Sequence, residues 1–127
     1  MKSVVTGGAG FIGSHLTERL LDAGDGGVVL DNLSTGASRN LEPIVDHPRL
    51  TLRRGDILDA AAVADACDGA DQIFHLAAAV GVNVIVDHPL DSMRTNIHGT
   101  KPLWRLHGWR GEAAVDLHQR GIRQEHR

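Results

Sequence analysis

Tyrosine is absent from this chain of 127 residues, and phenylalanine and tryptophan together make up only 3% of it. No phenol within these residues can therefore act as an acid or base. Lysine is almost as scarce, at Lys2 and Lys101 alone. A single cysteine, Cys67, excludes an internal disulfide and fits a reducing cytosol; it reads as a small helix residue, buried or half-buried. No apolar run approaches the ~20 residues of a membrane-spanning helix, and no charged leader opens the chain, so the sequence reads as cytoplasmic and soluble. The net charge of −3 supplies no basic field for nucleic acid. With 42% hydrophobic and 23% charged residues, the composition suits one globular domain with one core.

Against these absences stands a dense beginning. Val4-Val5-Thr6-Gly7-Gly8-Ala9-Gly10-Phe11-Ile12-Gly13 runs from a short apolar strand into glycines spaced G-x-x-G-x-x-G, and an amphipathic helix follows. Gly7 lets the chain turn sharply through angles that a side chain penalises. Gly10 leaves room for a diphosphate to approach the backbone, and Gly13 lets the helix pack closely on the strand. The N–H groups and positive dipole end at the start of that helix suit a diphosphate. The same glycines would also serve a tight turn with no ligand. An acidic residue ending a second strand about 20 residues on separates the two readings, and Val28-Val29-Leu30-Asp31 supplies it. A carboxylate there accepts both hydroxyls of an adenosine ribose and repels a 2′-phosphate, so the pattern predicts NAD over NADP.

Phe11 to Ala23 reads as the first helix, with Ile12, Leu16, Leu20 and Ala23 as its buried stripe, and Gly24 stops it. Gly27 to Leu30 reads as the second strand. The polar loop from Asn32 to Asn40 either wraps the adenosine end of the cofactor or is a plain surface loop. Arg49 to Arg53 alternates as a third strand and leads to Asp56, on the same rim as Asp31, where an open α/β sheet binds its ligand. Asp59 caps a helix from Ala60 to Ala66. Gln72 to Leu76 is the fourth strand, and the small residues after it let the backbone pass close to a flat ligand. A further helix begins at Pro89, a residue suited to a first turn, and carries Asn96. Asn96 is either solvated or aimed at the cofactor, and spacing alone leaves both open. The alternation predicts an α/β fold over residues 1–100: a partial Rossmann unit, a doubly wound parallel sheet with strand order 3-2-1-4.

In their order and spacing these pieces resemble the NAD-dependent epimerase/dehydratase family, the extended short-chain dehydrogenases/reductases that work on nucleotide sugars. The matching stretches are Thr6 to Gly13, Asp31-Asn32-Leu33-Ser34-Thr35-Gly36, Gly55-Asp56-Ile57, His75-Leu76-Ala77-Ala78 and Asn96-Ile97-His98-Gly99-Thr100. The segment from Val80 to Pro89 looks most like sugar-nucleotide epimerases and decarboxylases. The resemblance implies that Gly7, Gly10, Phe11, Ile12 and Gly13 cradle the pyrophosphate. It implies that Asp31 and Asn32 hold the adenosine ribose, with Leu33, Ser34, Thr35 and Gly36 beside it, and that Asp56 and Ile57 flank the adenine. Leu76, Ala77 and Ala78 would pass under the nicotinamide ribose, with Asn96 near the cofactor on an active-site helix. It implies NAD as cofactor, no metal, a nucleotide sugar such as a UDP-sugar as substrate, and the family's usual homodimer.

The family's chemistry is a transient hydride transfer, in which a tyrosine activated by a lysine four positions later removes a hydroxyl proton while a Ser or Thr assists. Those residues lie beyond the asparagine helix, and this chain has no tyrosine. The expectation is a cofactor-binding part without its catalytic residues, inactive alone. A non-catalytic NAD-binding or regulatory module is the alternative.

Beyond Thr100 the character changes. Residues 1–100 carry 7 Lys and Arg against 13 Asp and Glu, whereas residues 101–127 carry 6 against 3, together with both tryptophans and three histidines. The histidine spacing suits neither a metal site nor a nucleic-acid element. A reading-frame slip is the other account: codons exist for Glu112 to Arg127 that, displaced by one base, spell an apolar strand followed by Ser-Thr-Ser-x-x-Tyr-Gly. On that account residues 101–127 form an atypical tail, irregular helix or poorly ordered, and the fourth strand keeps an open apolar edge with marginal stability.

Overall fold

The computed structural model of the chain describes residues 1–34, 37–78, 86–104 and 112–115. Among these described residues five parallel strands form one sheet in the order β3-β2-β1-β4-β5. β1 is Lys2–Thr6, β2 Gly26–Asp31, β3 Leu50–Arg54, β4 Gln72–His75 and β5 Glu112–Val115. Ser3 to Thr6 are buried because β1 has neighbours on both sides, whereas Thr51 to Arg54 are exposed on the outer strand β3. Val4 stands opposite Val28 and Ile73, so the ends of β1, β2 and β4 fall on one rim.

Side chains alternate between the two faces of the sheet. Val4, Val28, Leu30 and Ile73 pack on one face with Val63, Ala66 and Cys67 of helix α2 (Ala60–Cys67). Val29 packs on the other with Leu21 of helix α1 (Phe11–Asp22) and with Leu41 and Ile44 of a 3-10 turn, Ser38–Ile44. Asp59 caps α2, its Oδ1 accepting the Ala61 and Ala62 N–H groups at 3.0 and 3.2 Å. After α1 the Asp25 N–H reaches the Leu20 carbonyl and the Gly24 N–H the Leu21 carbonyl, both at 3.0 Å. With Gly24 at φ +95° this is a Schellman stop. Helix α3, Pro89–His98, starts on its proline, and a short turn α4, Lys101–Trp104, follows.

Two expectations are corrected. The buried face of α1 is Gly13, Ser14, Thr17 and Leu21; Ile12 and Ala23 are exposed, and Leu16 and Leu20 only half-buried. Small side chains bring the helix against the glycine turn, and their hydroxyls are satisfied within the helix: Ser14 donates to the Phe11 carbonyl at 3.0 Å and Thr17 to that of Gly13 at 2.7 Å. A stripe read from large apolar residues misses such a face. Second, β4 does not keep an open edge. β5 pairs with it in parallel, Gln72 opposite Glu112 and His75 opposite Val115. Four residues are too few for a period to show. The rest of the tail, residues 105–111 and 116–127, lies outside the described residues.

Candidate functional site

The candidate site lies along the carboxyl rim of the sheet. Gly7 leaves β1 at φ +73°, a left-handed conformation that disfavours a side chain. A Cβ there would stand 2.7 Å from the Ala77 nitrogen, so the turn after β1 and the segment after β4 touch backbone to backbone. At Gly13 a Cβ would overlap the Gly7 carbonyl oxygen and stand 2.7 Å from the Gly8 Cα. The helix is therefore pressed on the turn itself rather than on the strand. A Cβ at Gly10 would meet only the Gly7 oxygen, at 3.2 Å. Gly10 is the N-cap of α1, and no side chain caps the helix there. Its first turn carries no acidic residue, and the N–H groups and dipole end of such an uncapped start suit an anion such as a diphosphate. Phe11 and Ile12 follow, 76% and 56% exposed. Phe11 lies against the His15 ring at 4.7 Å, and its carbonyl accepts from His15 Nδ1 at 2.7 Å.

Asp31 ends β2 at this rim. Its Oδ2 accepts the Ala9 N–H at 2.9 Å, and its Oδ1 accepts the Leu33 N–H at 2.7 Å. Each oxygen keeps acceptor capacity beyond one N–H, and the carboxylate is half-exposed. The second bond bends the loop: Leu33 sits at φ +60°, rare for a leucine. Asn32 Oδ1 accepts the Ser34 N–H at 3.0 Å, so Asn32 shapes the same loop. Thr35 and Gly36 lie outside the described residues. An open cavity of about 240 Å³ lies beside Asp31, lined in part by Ala9, Leu33, Leu41 and Arg54.

Asp56 is half-buried and accepts the Leu58 N–H at 2.9 Å. The Ile57 side chain is committed to the core, 5% exposed, which leaves only its backbone for the adenine contact that the resemblance implies. Leu76, Ala77 and Ala78 are half-buried beyond β4. The Leu76 N–H donates to the Thr6 carbonyl at 3.0 Å, and the Ala77 N–H to Thr6 Oγ1 at 3.3 Å. Asn96 is half-buried on α3, one turn before Thr100.

Sequence reasoning missed one group of residues here. His75, 6% exposed, ends β4; its Nδ1 is 2.7 Å from Thr6 Oγ1 and its Nε2 is 3.3 Å from Thr100 Oγ1. Burial pushes its pKa down to about 4, which keeps the ring neutral. A histidine inside an otherwise apolar strand, between threonines at the ends of two motifs, was the available signal. Cys67 is buried in α2, and burial raises its thiol to about 11, an inert state. Among the described residues no group of three or more His, Cys, Asp or Glu could hold a metal ion, and no helix is long and apolar enough to cross a membrane.

Comparison with known proteins agrees with this geometry. UDP-glucuronic acid decarboxylase 1 of Arabidopsis thaliana is 38% identical over 100 residues, which are 79% of this chain and 22% of that protein. UDP-glucuronic acid decarboxylase 6 of the same plant is 39% identical over 101 residues, 79% of this chain and 28% of its own length. The chain therefore spans about a quarter of these relatives. Among solved structures, dTDP-glucose 4,6-dehydratase DesIV from Streptomyces venezuelae, with NAD bound, superposes with a TM-score of 0.74 at 41% identity, over 81% of this chain and 34% of that one. UDP-glucose 4-epimerase from Thermus thermophilus, also with NAD, gives 0.69 at 37% identity, over 81% and 32%. The model of the NAD-dependent epimerase/dehydratase family matches residues 3–112, and with that match over a glycine turn, a rim carboxylate and a parallel sheet in the order 3-2-1-4-5, the chain belongs to this family.

Proposed function

We propose that this chain is the NAD-binding part of an enzyme acting on nucleotide sugars, UDP-sugars first among them. The observation that carries the reading is the fixed position of Asp31: two backbone amides aim its carboxylate at the rim where the uncapped start of α1 also opens. The N–H groups of Phe11 and Ile12 would meet the diphosphate, and the Gly10 position leaves it room. Asp31 would take the adenosine ribose hydroxyls, with Asn32, Leu33, Ser34, Thr35 and Gly36 alongside. Asp56 and Ile57 would flank the adenine. Leu76, Ala77, Ala78 and Asn96 would line the nicotinamide end. When bound, NAD supplies a reversible hydride acceptor at a sugar carbon.

The chain's own residues contribute binding and orientation; with no tyrosine among them, proton removal from the sugar falls to residues outside residues 1–100 of the usual family pattern, and the isolated chain does not turn over. The same lack of tyrosine favours a second reading, an NAD-binding or regulatory module without chemistry. Exposed Leu90, Met93 and Ile97 on α3 recur at helical spacing and suit the homodimer that the resemblance implies. The single, buried, unpaired Cys67 suits the cytoplasm.

The test is equilibrium titration of the purified chain with NAD and a UDP-sugar, with an assay for sugar conversion. Micromolar NAD binding without conversion supports the proposal. Conversion by the chain alone contradicts the proposed inactivity, and no NAD binding contradicts the reading as a whole.

A further inference from the structure

Three segments meet at the nicotinamide end of the proposed site: the end of β1, the end of β4 and the end of α3. They meet on one imidazole. The Ala77 N–H donates to Thr6 Oγ1 at 3.3 Å, Thr6 Oγ1 lies 2.7 Å from His75 Nδ1, His75 Nε2 lies 3.3 Å from Thr100 Oγ1, and Thr100 Oγ1 reaches the Asn96 carbonyl at 3.5 Å. One direction of donation pairs every hydrogen in this run. The Thr6 hydroxyl donates to Nδ1, Nε2–H donates to Thr100, and the Thr100 hydroxyl donates to the Asn96 carbonyl. The ring then carries its proton on Nε2. Gly99 completes the join, because a Cβ there would overlap Ile57 Cδ1; the end of α3 is seated directly on the core.

We propose that His75 is a positioning residue for the nicotinamide half of the cofactor site, its Nε2-protonated ring tying Thr6 to Thr100 and so setting how far Asn96 stands from the turn at Gly7. The proposal rests on the NAD-binding reading above. It separates two halves of the site. Asp31 and the glycine turn hold the adenosine diphosphate without help from this ring, whereas Leu76 to Ala78 and Asn96 take their spacing from it. A ligand that ends at the adenosine phosphate is then indifferent to the ring, and one that extends to nicotinamide is not.

Thr100 is the accessible place to break the tie, because it is half-buried whereas His75 is enclosed. In the full chain, Thr100→Val removes the hydroxyl at nearly constant volume, and Thr100→Ser keeps it. NAD and AMP are titrated into each. Thr100→Val is expected to weaken NAD about tenfold, the value of one lost hydrogen bond, with AMP affinity unchanged and with Thr100→Ser restored to the wild-type value. Equal weakening of NAD and AMP, or no weakening of NAD, overturns the proposal. Nitrogen NMR of the wild-type ring gives an independent reading that needs no variant. Nε2 is expected to carry the proton and to shift on adding NAD but not AMP; a proton on Nδ1, or no NAD-specific shift, overturns it. If the wild type binds AMP and NAD normally and these outcomes fail, only the role of His75 falls. If the wild type binds neither, the cofactor reading falls, and the positioning role with it.

Discussion

Asp31 and Ala9 are 22 positions apart in sequence, and the carboxylate of the first accepts the backbone N–H of the second at 2.9 Å. The bond joins the end of β2 to the glycine turn after β1. One side chain thereby orients itself and steadies the loop that would face a diphosphate. On the proposed reading, a carboxylate so held would present its negative charge to the 2′-phosphate of NADP.

The chain should accordingly prefer NAD to NADP by about tenfold or more, since like charges brought together cost several kcal/mol. Asp31→Asn keeps an acceptor oxygen for the loop and should narrow that preference. Parallel titrations with the two dinucleotides measure it, and equal affinities in the wild type would contradict the ribose contact.

Gly10 and Gly13 should respond differently to alanine. Gly13→Ala drives a Cβ into backbone that cannot move aside, and a loss of about 3 kcal/mol is expected. That corresponds to a melting temperature roughly 10 °C lower. Gly10→Ala meets a single oxygen at 3.2 Å and should fold with little loss, yet fail to bind NAD because the methyl fills the diphosphate's place. Thermal unfolding and titration of both variants check the contrast.

How far the sequence made this legible differs from element to element. Gly7, Asp31, the Asp59 cap and the Pro89 helix start were readable because each depends on a local rule: a positive φ, a strand-end acid, a carboxylate cap, a fixed proline φ. The buried face of α1 was not, because Gly13, Ser14 and Thr17 are buried for being small. β5 was not, because pairing with β4 and not any period of its own makes Glu112–Val115 a strand. His75 was not, because its partners Thr6 and Thr100 lie 69 and 25 positions away and only the fold joins them.

Stability should fall in acid through His75. Its pKa is about 4 folded against 6.5 as the ordinary value, so between those values the unfolded chain takes up a proton that the folded chain refuses. The contribution is complete above pH 6.5 and is lost as pH falls toward 4, about 3 kcal/mol in all. Urea unfolding at intervals from about pH 7 to pH 4 measures it. His75→Gln should show a shallower decline over the same range; an identical slope would mean the ring does not stay neutral in the fold.

Asp59→Ala should cost about 1 kcal/mol, because two amides of the first turn of α2 lose their acceptor. Denaturant unfolding reads the value directly, and NAD affinity should be unchanged.

Calorimetric titration of NAD into the wild-type chain and into Asp31→Ala tests the central claim most directly. The rim account predicts binding by the wild type and an affinity about tenfold or more lower in the variant, the loss expected for hydrogen bonds to a charged acceptor. Equal affinity in the two proteins would contradict it.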